Sequence, residues 1–368
     1  MRKIAVLLAI VVLLSACGPT LPPTALPTAL PTAGATAVPT QPQLAAELHI
    51  FNWSEYIDPQ IYDDFEQEFG VQVIEDTFAS NEDLLAKLQA GASGYDIIVP
   101  SDYMVQIMVG LDLLTPLDMN NIPNRGNLYA IFEDPPYDPG NVYCIPYQWG
   151  TTGIGYNSEV ITQTPDSWGY LFDPALASPY AGKMSMLNDA REVIGSALKY
   201  LGYSLNSTDP AQLEEAKQIL LQQKAWVTTY DSEQFEDLLT TGNTVIGQGW
   251  SGEYFTVAVD DPRVMYAIPK EGAAIWADNL CIPKTSANKY TAEVFLNYLL
   301  RPDVAAMVSN YTWFASPVEA AEPYLNPDIL NEPAIYPPEE VMTRLEWIKD
   351  IGTATALYDR IWTEIRAK

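Results

Sequence analysis

Four short stretches set carboxylates beside aromatic rings: Trp53-Ser54-Glu55-Tyr56, Ser101-Asp102-Tyr103, Trp250-Ser251-Gly252-Glu253-Tyr254 and Trp276-Ala277-Asp278. Aromatic faces attract a cation and cover its methylene chain. Carboxylates accept charge-assisted hydrogen bonds from a terminal nitrogen. An organic ammonium needs this combination. Sugars also use tryptophan platforms, but they need no excess of negative charge. Any one of these tryptophans could be simple core packing; four clusters of one kind are harder to dismiss.

Other chemistries lack their residues. The single histidine, His49, falls inside an apolar strand-like run and reads as a satisfied structural residue. There is no Gly-x-Ser-x-Gly elbow, Walker loop or Gly-x-Gly-x-x-Gly fingerprint. No credible zinc set or calcium loop is present, so neither metal nor cofactor is expected. Carboxylates are plentiful, so an exported carboxylate-dependent hydrolase stays open as an alternative. A membrane-tethered structural or adhesive module is a third reading, although it should not need such clusters.

The elements that must carry these stretches follow an α/β pattern. Leu48 to Trp53 reads as a strand running into a loop, Pro59 to Phe69 as a helix stopped by Gly70, and Val71 to Ile74 as a strand. Asn81 to Ala90 reads as a helix closed by Gly91, and Tyr95 to Val99 as a buried strand. Strand and helix in alternation imply parallel pairing. Further helices are predicted at 211–224, 232–240, 287–300 and 339–351, with short strands at 244–246 and 264–267. Ligands of open α/β sheets lie beyond the carboxyl ends of strands. That makes Trp53 to Tyr56 and Ser101 to Tyr103 candidate ligand loops.

The first 46 residues read differently. Arg2 and Lys3 precede an apolar run from Ile4 to Ala16, the pattern of a secretory signal. Leu14-Ser15-Ala16-Cys17 resembles the lipobox of bacterial lipoproteins, which implies lipidation of Cys17 after removal of 1–16. Residues 17–46 form a Pro/Thr/Ala-rich linker, uncharged from Gly18 to Ala46, that favours extended chain. The protein is thus expected outside the cytoplasm, tethered to a membrane. The body from about Glu47 is long enough for roughly two domains. Its chain carries 19 basic and 47 acidic residues, a net charge of −28, which repels nucleic acid and attracts cations. Cys144 and Cys281 sit in similar contexts, Tyr-Cys-Ile-Pro and Leu-Cys-Ile-Pro. Two buried free thiols are the preferred expectation, with a disulfide as the open alternative.

The body also resembles the spermidine/putrescine-binding proteins that serve polyamine ABC importers. The resemblance covers about 48–368. It is carried by Phe51-Asn52-Trp53-Ser54-Glu55-Tyr56, Tyr95-Asp96-Ile97-Ile98-Val99-Pro100-Ser101, Asp189-Ala190-Arg191-Glu192-Val193, Pro269-Lys270-Glu271-Gly272 with Trp276-Ala277-Asp278, and Phe295 to Pro302. It implies a two-lobed, periplasmic-binding-protein-like (type II) α/β fold that closes like a hinge. The lobes would be 47–152 with 277–322, and 153–276 with 323–368. It further implies a monomeric carrier, not an enzyme, with a permease partner and no nucleic acid. Carried over by position, Trp53, Ser54, Glu55, Tyr56, Ser101 and Tyr103 line the cleft from one lobe. Asp189, Glu192 and Trp250 line it from the other, with Trp276 and Asp278 near the crossover and Glu253 as a further carboxylate. Asp189 and Glu192 also fit a helix capping pair. Phe314 and Ile348 stand where the family pattern has a tyrosine and a glutamine, which implies a more apolar pocket at one side. The resemblance leaves open which polyamine, or other cationic amine, is taken, with a weak lean towards putrescine-like diamines.

Overall fold

The computed structural model describes residues 42–367. The signal run, Cys17 and the linker up to residue 41 lie outside the described residues. The chain contributes ten strands within that range: β1 (Glu47–Asn52), β2 (Gln72–Thr77), β3 (Ile97–Ile98), β4 (Cys144–Asn157), β5 (Met184–Met186), β6 (Val227–Tyr230), β7 (Ile246–Trp250), β8 (Val264–Ala267), β9 (Ala274–Cys281) and β10 (Glu346–Trp347). They join in the order β2-β1-β3-β9-β4-β7-β5-β6, with β10 added to β9 and β8 to β4.

Both ends of this sheet are parallel. β2, β1 and β3 run together on one side, and β7, β5 and β6 on the other. Between them lies an antiparallel pair. β4 faces β9 from Cys144 to Thr151, then continues from Thr152 against β7 and β8. One strand therefore serves both halves. Two hydrophobic cores match this division. The first gathers Leu48, Ile61, Phe65, Ile97, Phe295 and Leu296; the second gathers Ile154, Trp168, Met184, Ile194, Phe235 and Ile246. Leu325, Ile329, Ile335 and Ile348 pack in the first core, while Tyr358, Ile361 and Ile365 pack in the second.

Local rules explain the elements that position the site. The helix Pro59–Phe69 begins with Asp58 accepting from the Gln60 N–H, has proline in its first turn, and ends at Gly70 with φ 68°. Its buried face is Ile61 and Phe65, four residues apart. Burying such side chains contributes about 1.5–3 kcal/mol each.

Two sequence expectations need correction. The helix expected over 339–351 stops at Glu339–Met342, and β10 follows. Glu346 and Trp347 find ladder partners at Ala274 and Ile275, so pairing to an open edge overrides helical spacing. His49 stands within β1 as expected, half-buried, with its ring 3.4 Å from the Glu47 carboxylate. The preferred free thiols are overturned as well. Cys144 and Cys281 stand directly opposite in the β4–β9 ladder and form a disulfide, with Cα atoms 4.4 Å apart. That separation matches a closely spaced antiparallel pair, which brings two sulfurs within bonding reach.

Candidate functional site

Asp278 organises the first group of side chains. It sits on β9 opposite Gln148 of β4 and is buried. Its carboxylate accepts from Tyr56 Oη and Ser101 Oγ, both at 2.6 Å. Tyr56 is fixed in turn. Its carbonyl accepts from Tyr147 Oη at 2.9 Å and Gln148 Nε2 at 3.0 Å, and Thr312 Oγ1 donates to Gln148 Oε1. The loop before it carries Glu55 at φ 56°, a left-handed conformation that a side chain seldom adopts. That turn sends Tyr56 inward and leaves Ser54 and Glu55 exposed. Trp53 is half-buried, and its Nε1 donates to the Val99 carbonyl at 2.9 Å. Burial pushes the Asp278 carboxyl up to about 6, even though the two hydroxyl bonds pull the other way.

Glu192 organises the second group. The helix Ala190–Tyr200 is capped by Asp189, which accepts from the N–H groups of Arg191 and Glu192. The expected capping box is only half made. Glu192 turns its carboxylate to Thr152 Oγ1 at 2.9 Å and Trp250 Nε1 at 3.2 Å. Burial and the neighbouring Asp189 charge push the Glu192 carboxyl up; burial raises Asp189 too. Tyr103 is buried at the start of the helix Asp102–Gly110 and donates to Glu82 at 3.1 Å. Burial raises Glu82, and the Asp189 charge adds to that shift. Asp102 is fully buried, one of its oxygens lacks a hydrogen bond among the described residues, and it feels the charges of both Asp278 and Glu192.

Aromatic side chains wall these groups. Phe314 meets Tyr56 and Trp276 edge-on, at centroid distances of 5.5 and 5.1 Å. Glycines make this approach possible. A methyl on Gly150 would come within 2.8 Å of the Trp276 ring, and one on Gly252 within 2.6 Å of the Phe314 ring. Gln148, Gly150 and Thr152 are alternate residues of β4 and so share a face. Trp250 packs against both cores and meets Phe235 edge-on. Glu253, in the first turn of the helix Ser251–Asp260, has a buried oxygen with no hydrogen bond among the described residues. Burial raises its carboxyl, and the charges of Glu236 and Asp278 raise it further. Glu236 is itself pushed up to about 7, mainly by burial. The buried Trp276 Nε1 also has no partner among the described residues.

Most of the sequence-selected residues therefore fall into the Asp278 group, the Glu192 group and their aromatic wall. Ile348 does not join the wall. It lies behind Glu192, lining a small cavity with Thr152, Arg191 and Gln248. Sequence reasoning passed over Tyr147, Gln148, Thr152, Glu82 and Glu236. Glu82 directly follows Asn81, whose side chain bonds Ser101 in both directions at 3.0 Å, but no motif marks it. Asp102 stood inside a noted cluster. The arrangement is a set of carboxylates raised chiefly by burial, with aromatic rings beside them. It can bind an organic cation with more than one charge.

The model of the bacterial extracellular solute-binding protein family matches residues 60–337. The spermidine/putrescine-binding periplasmic protein of Salmonella typhimurium is 35% identical over 322 residues, 87% of this chain and 91% of the relative. A spermidine/putrescine ABC transporter substrate-binding protein from Streptococcus pneumoniae superposes with a TM-score of 0.78 at 34% identity, over 88% of this chain and 99% of the other. A lipoprotein of Treponema pallidum does so with a TM-score of 0.78 at 30% identity, over 88% of this chain and 100% of the other. With that extent of match on the fold described above, the chain belongs to the bacterial extracellular solute-binding proteins.

Proposed function

We propose that this protein captures a linear polyamine, putrescine or spermidine, and hands it unchanged to an ABC importer. The observation that carries the reading is Asp278: a buried carboxylate, held by Tyr56 and Ser101 beside an aromatic wall, with its charge opposed by burial. A primary ammonium would relieve that cost through a charge-assisted hydrogen bond. Trp276, Phe314 and Tyr56 would cover the carbon chain. Glu253 on one side and Glu192 with Asp189 on the other would hold further nitrogens. The names of the relatives support the same class of ligand.

The ligand would lie between two lobes, 47–152 with 277–322 and 153–276 with the end of 323–368, which close on it as a hinge; of that last stretch, Leu325 to Ile348 pack with the first core and Tyr358 to Ile365 with the second. The two cores joined through β4 and β9 support that motion. The carrier would act as a monomer, tethered through a lipid on Cys17 at the outer face of a membrane. The lipobox-like sequence and the lipoprotein among its structural relatives support the tether. Phe314 offers a ring and no hydroxyl, which favours a diamine over a triamine.

Calorimetric titration with putrescine, spermidine and spermine tests the reading. Saturable heat at one site is expected, with no change in the recovered ligand. No heat and no thermal shift at millimolar ligand would refute it. Competition between putrescine and spermidine then ranks the two, and a tenfold preference for spermidine would overturn the diamine preference.

A further inference from the structure

Arg191 lies between Asp189 and Glu192 in sequence, yet its guanidinium bonds neither carboxylate. It points the other way. Nη1 donates to the Lys349 carbonyl at 2.8 Å, and Nη2 to Asn206 Oδ1 at 2.9 Å. The group lies over the Tyr358 ring, 5.2 Å from its centroid. Asn206 completes the clamp. It accepts from the Lys349 N–H at 2.9 Å and donates to the Trp347 carbonyl at 2.8 Å. The strap from Glu346 to Asp350 is thereby fastened to the helix that carries Glu192. At its far end, the Asp350 N–H donates to Gln106 on the helix Asp102–Gly110.

Several other titratable groups, with Lys349 on the strap among them, surround Arg191. Its own helix presents Asp189 and Glu192, and Lys199, which is paired with Glu346 at 2.7 Å. Tyr103 faces it from the helix Asp102–Gly110 and Tyr358 from the helix Thr355–Ala367. Glu82, on the helix Asn81–Gln89, faces Asp189. Arginine stays charged at any working pH, and its fork accepts fixed partners in one plane. We propose that Arg191 is a positioning residue, the strapped counter-charge that sits behind the Asp189–Glu192 pair and lets both carboxylates meet a cationic ligand together. Its two Nη groups are held by the strap and its buried Nε–H has no partner among the described residues, so its field reaches the pair while Asp189 Oδ2 and Glu192 Oε2 stay free for ligand nitrogens. The direction of its influence agrees: the positive charge lowers both acids against the burial that raises them. The inference rests on the polyamine reading given above.

The test compares Arg191→Gln and Arg191→Lys with the wild-type protein, titrated with spermidine near pH 6 and near pH 8.5, where linked protonation separates a charge effect from a packing effect. Loss of a counter-charge that favours the ionised pair weakens binding most at the lower pH, where the pair is protonated. Arg191→Gln should therefore bind at least tenfold more weakly than wild type near pH 6 and within threefold near pH 8.5. It should also release more protons on binding at the lower pH. Arg191→Lys should keep the wild-type ratio between the two pH values. Equal loss at both pH values, no loss at either, or a Lys variant as pH-sensitive as the Gln variant would overturn the proposal. Should Arg191→Gln fail to fold, Asn206→Ala decides. It keeps the charge but frees the guanidinium to compete for the carboxylates, so spermidine should bind more weakly; unchanged affinity overturns the proposal. A wild-type protein that binds no polyamine would refute the functional reading itself, before any variant is compared.

Discussion

Replacing Asp278 by asparagine should make the unliganded protein more stable and the binding protein worse. The side chain is 5% exposed, and its carboxyl is pushed from 3.8 up to about 6. The sign follows from proton linkage. A carboxyl raised on folding stabilises the fold in its protonated form, below pH 3.8, and that contribution is lost as pH rises through about 6. At 1.36 kcal/mol per unit, the shift corresponds to about 3 kcal/mol that the ionised group costs at neutral pH. Asp278→Asn removes the charge and keeps the size, and the amide can still bond the Tyr56 and Ser101 hydroxyls. The variant should thus gain up to about 3 kcal/mol over wild type above pH 7, a few degrees in Tm for a chain of this length. The gain should vanish towards pH 4. Thermal melts of both proteins across that range read the difference, to which relief of Asp102 and Glu253 from the Asp278 charge adds in the same direction.

Binding should move the opposite way. Removing one partner of a buried charge pair typically costs about 3–5 kcal/mol, so polyamine affinity should fall by at least two orders of magnitude. A loss under threefold would remove Asp278 from the site. A variant destabilised equally at every pH would refute the electrostatic part, since it would mean that the two hydroxyl bonds outweigh the burial of the charge.

Thiol titration of denatured, unreduced protein should find neither Cys144 nor Cys281 free; the bond closes a loop with a sequence separation of 137, so Cys281→Ser should cost up to about 5 kcal/mol in the chain-entropy picture. Gly252→Ala should drive a methyl against the Phe314 ring and cost about 1–3 kcal/mol by overpacking, with weaker polyamine binding measured by calorimetry; an unchanged melt would show that the ring moves aside freely. Scattering with saturating polyamine should give a more compact particle than without, and superimposable profiles from a protein that binds would refute hinge closure.

The parts of the fold that the sequence made legible are those with local cause. Asp58, Pro59 and Gly70 mark one helix, Ser80 and the acidic first turn another, and both stand where expected. The strand β4 was not legible, because Pro146, Gly150, Gly153 and Gly155 read as breakers. Its glycines are explained only by distant rings: Tyr266 packs on Gly153 and Tyr254 on Gly155. The matching contexts of Cys144 and Cys281 suggest neighbouring strands, as the ladder shows, but without the full length of β4 nothing places Thr152 against Glu192. The site was legible where residue types cluster along the chain, at Trp53 to Tyr56 and Trp276 to Asp278. It was hidden where a single polar side chain, Gln148 or Glu82, reaches the cluster from another element.

That hidden strand sets the scale of the site. Gln148 stands opposite Asp278 and Thr152 binds Glu192, so both carboxylates are referred to one face of one strand. Four residues of extended chain span about 13 Å. Between them Gly150 carries no side chain, and the Trp276 ring occupies the room. Two anionic stations that far apart, with an aromatic surface between them, suit a long, narrow cation charged at its ends, which favours spermidine over putrescine and opposes the preference drawn from Phe314. A compact cation could reach one station and would leave the other carboxylate buried without a partner, at a cost of several kcal/mol. Selection for length thus follows from the unpaired carboxylate as much as from the paired one.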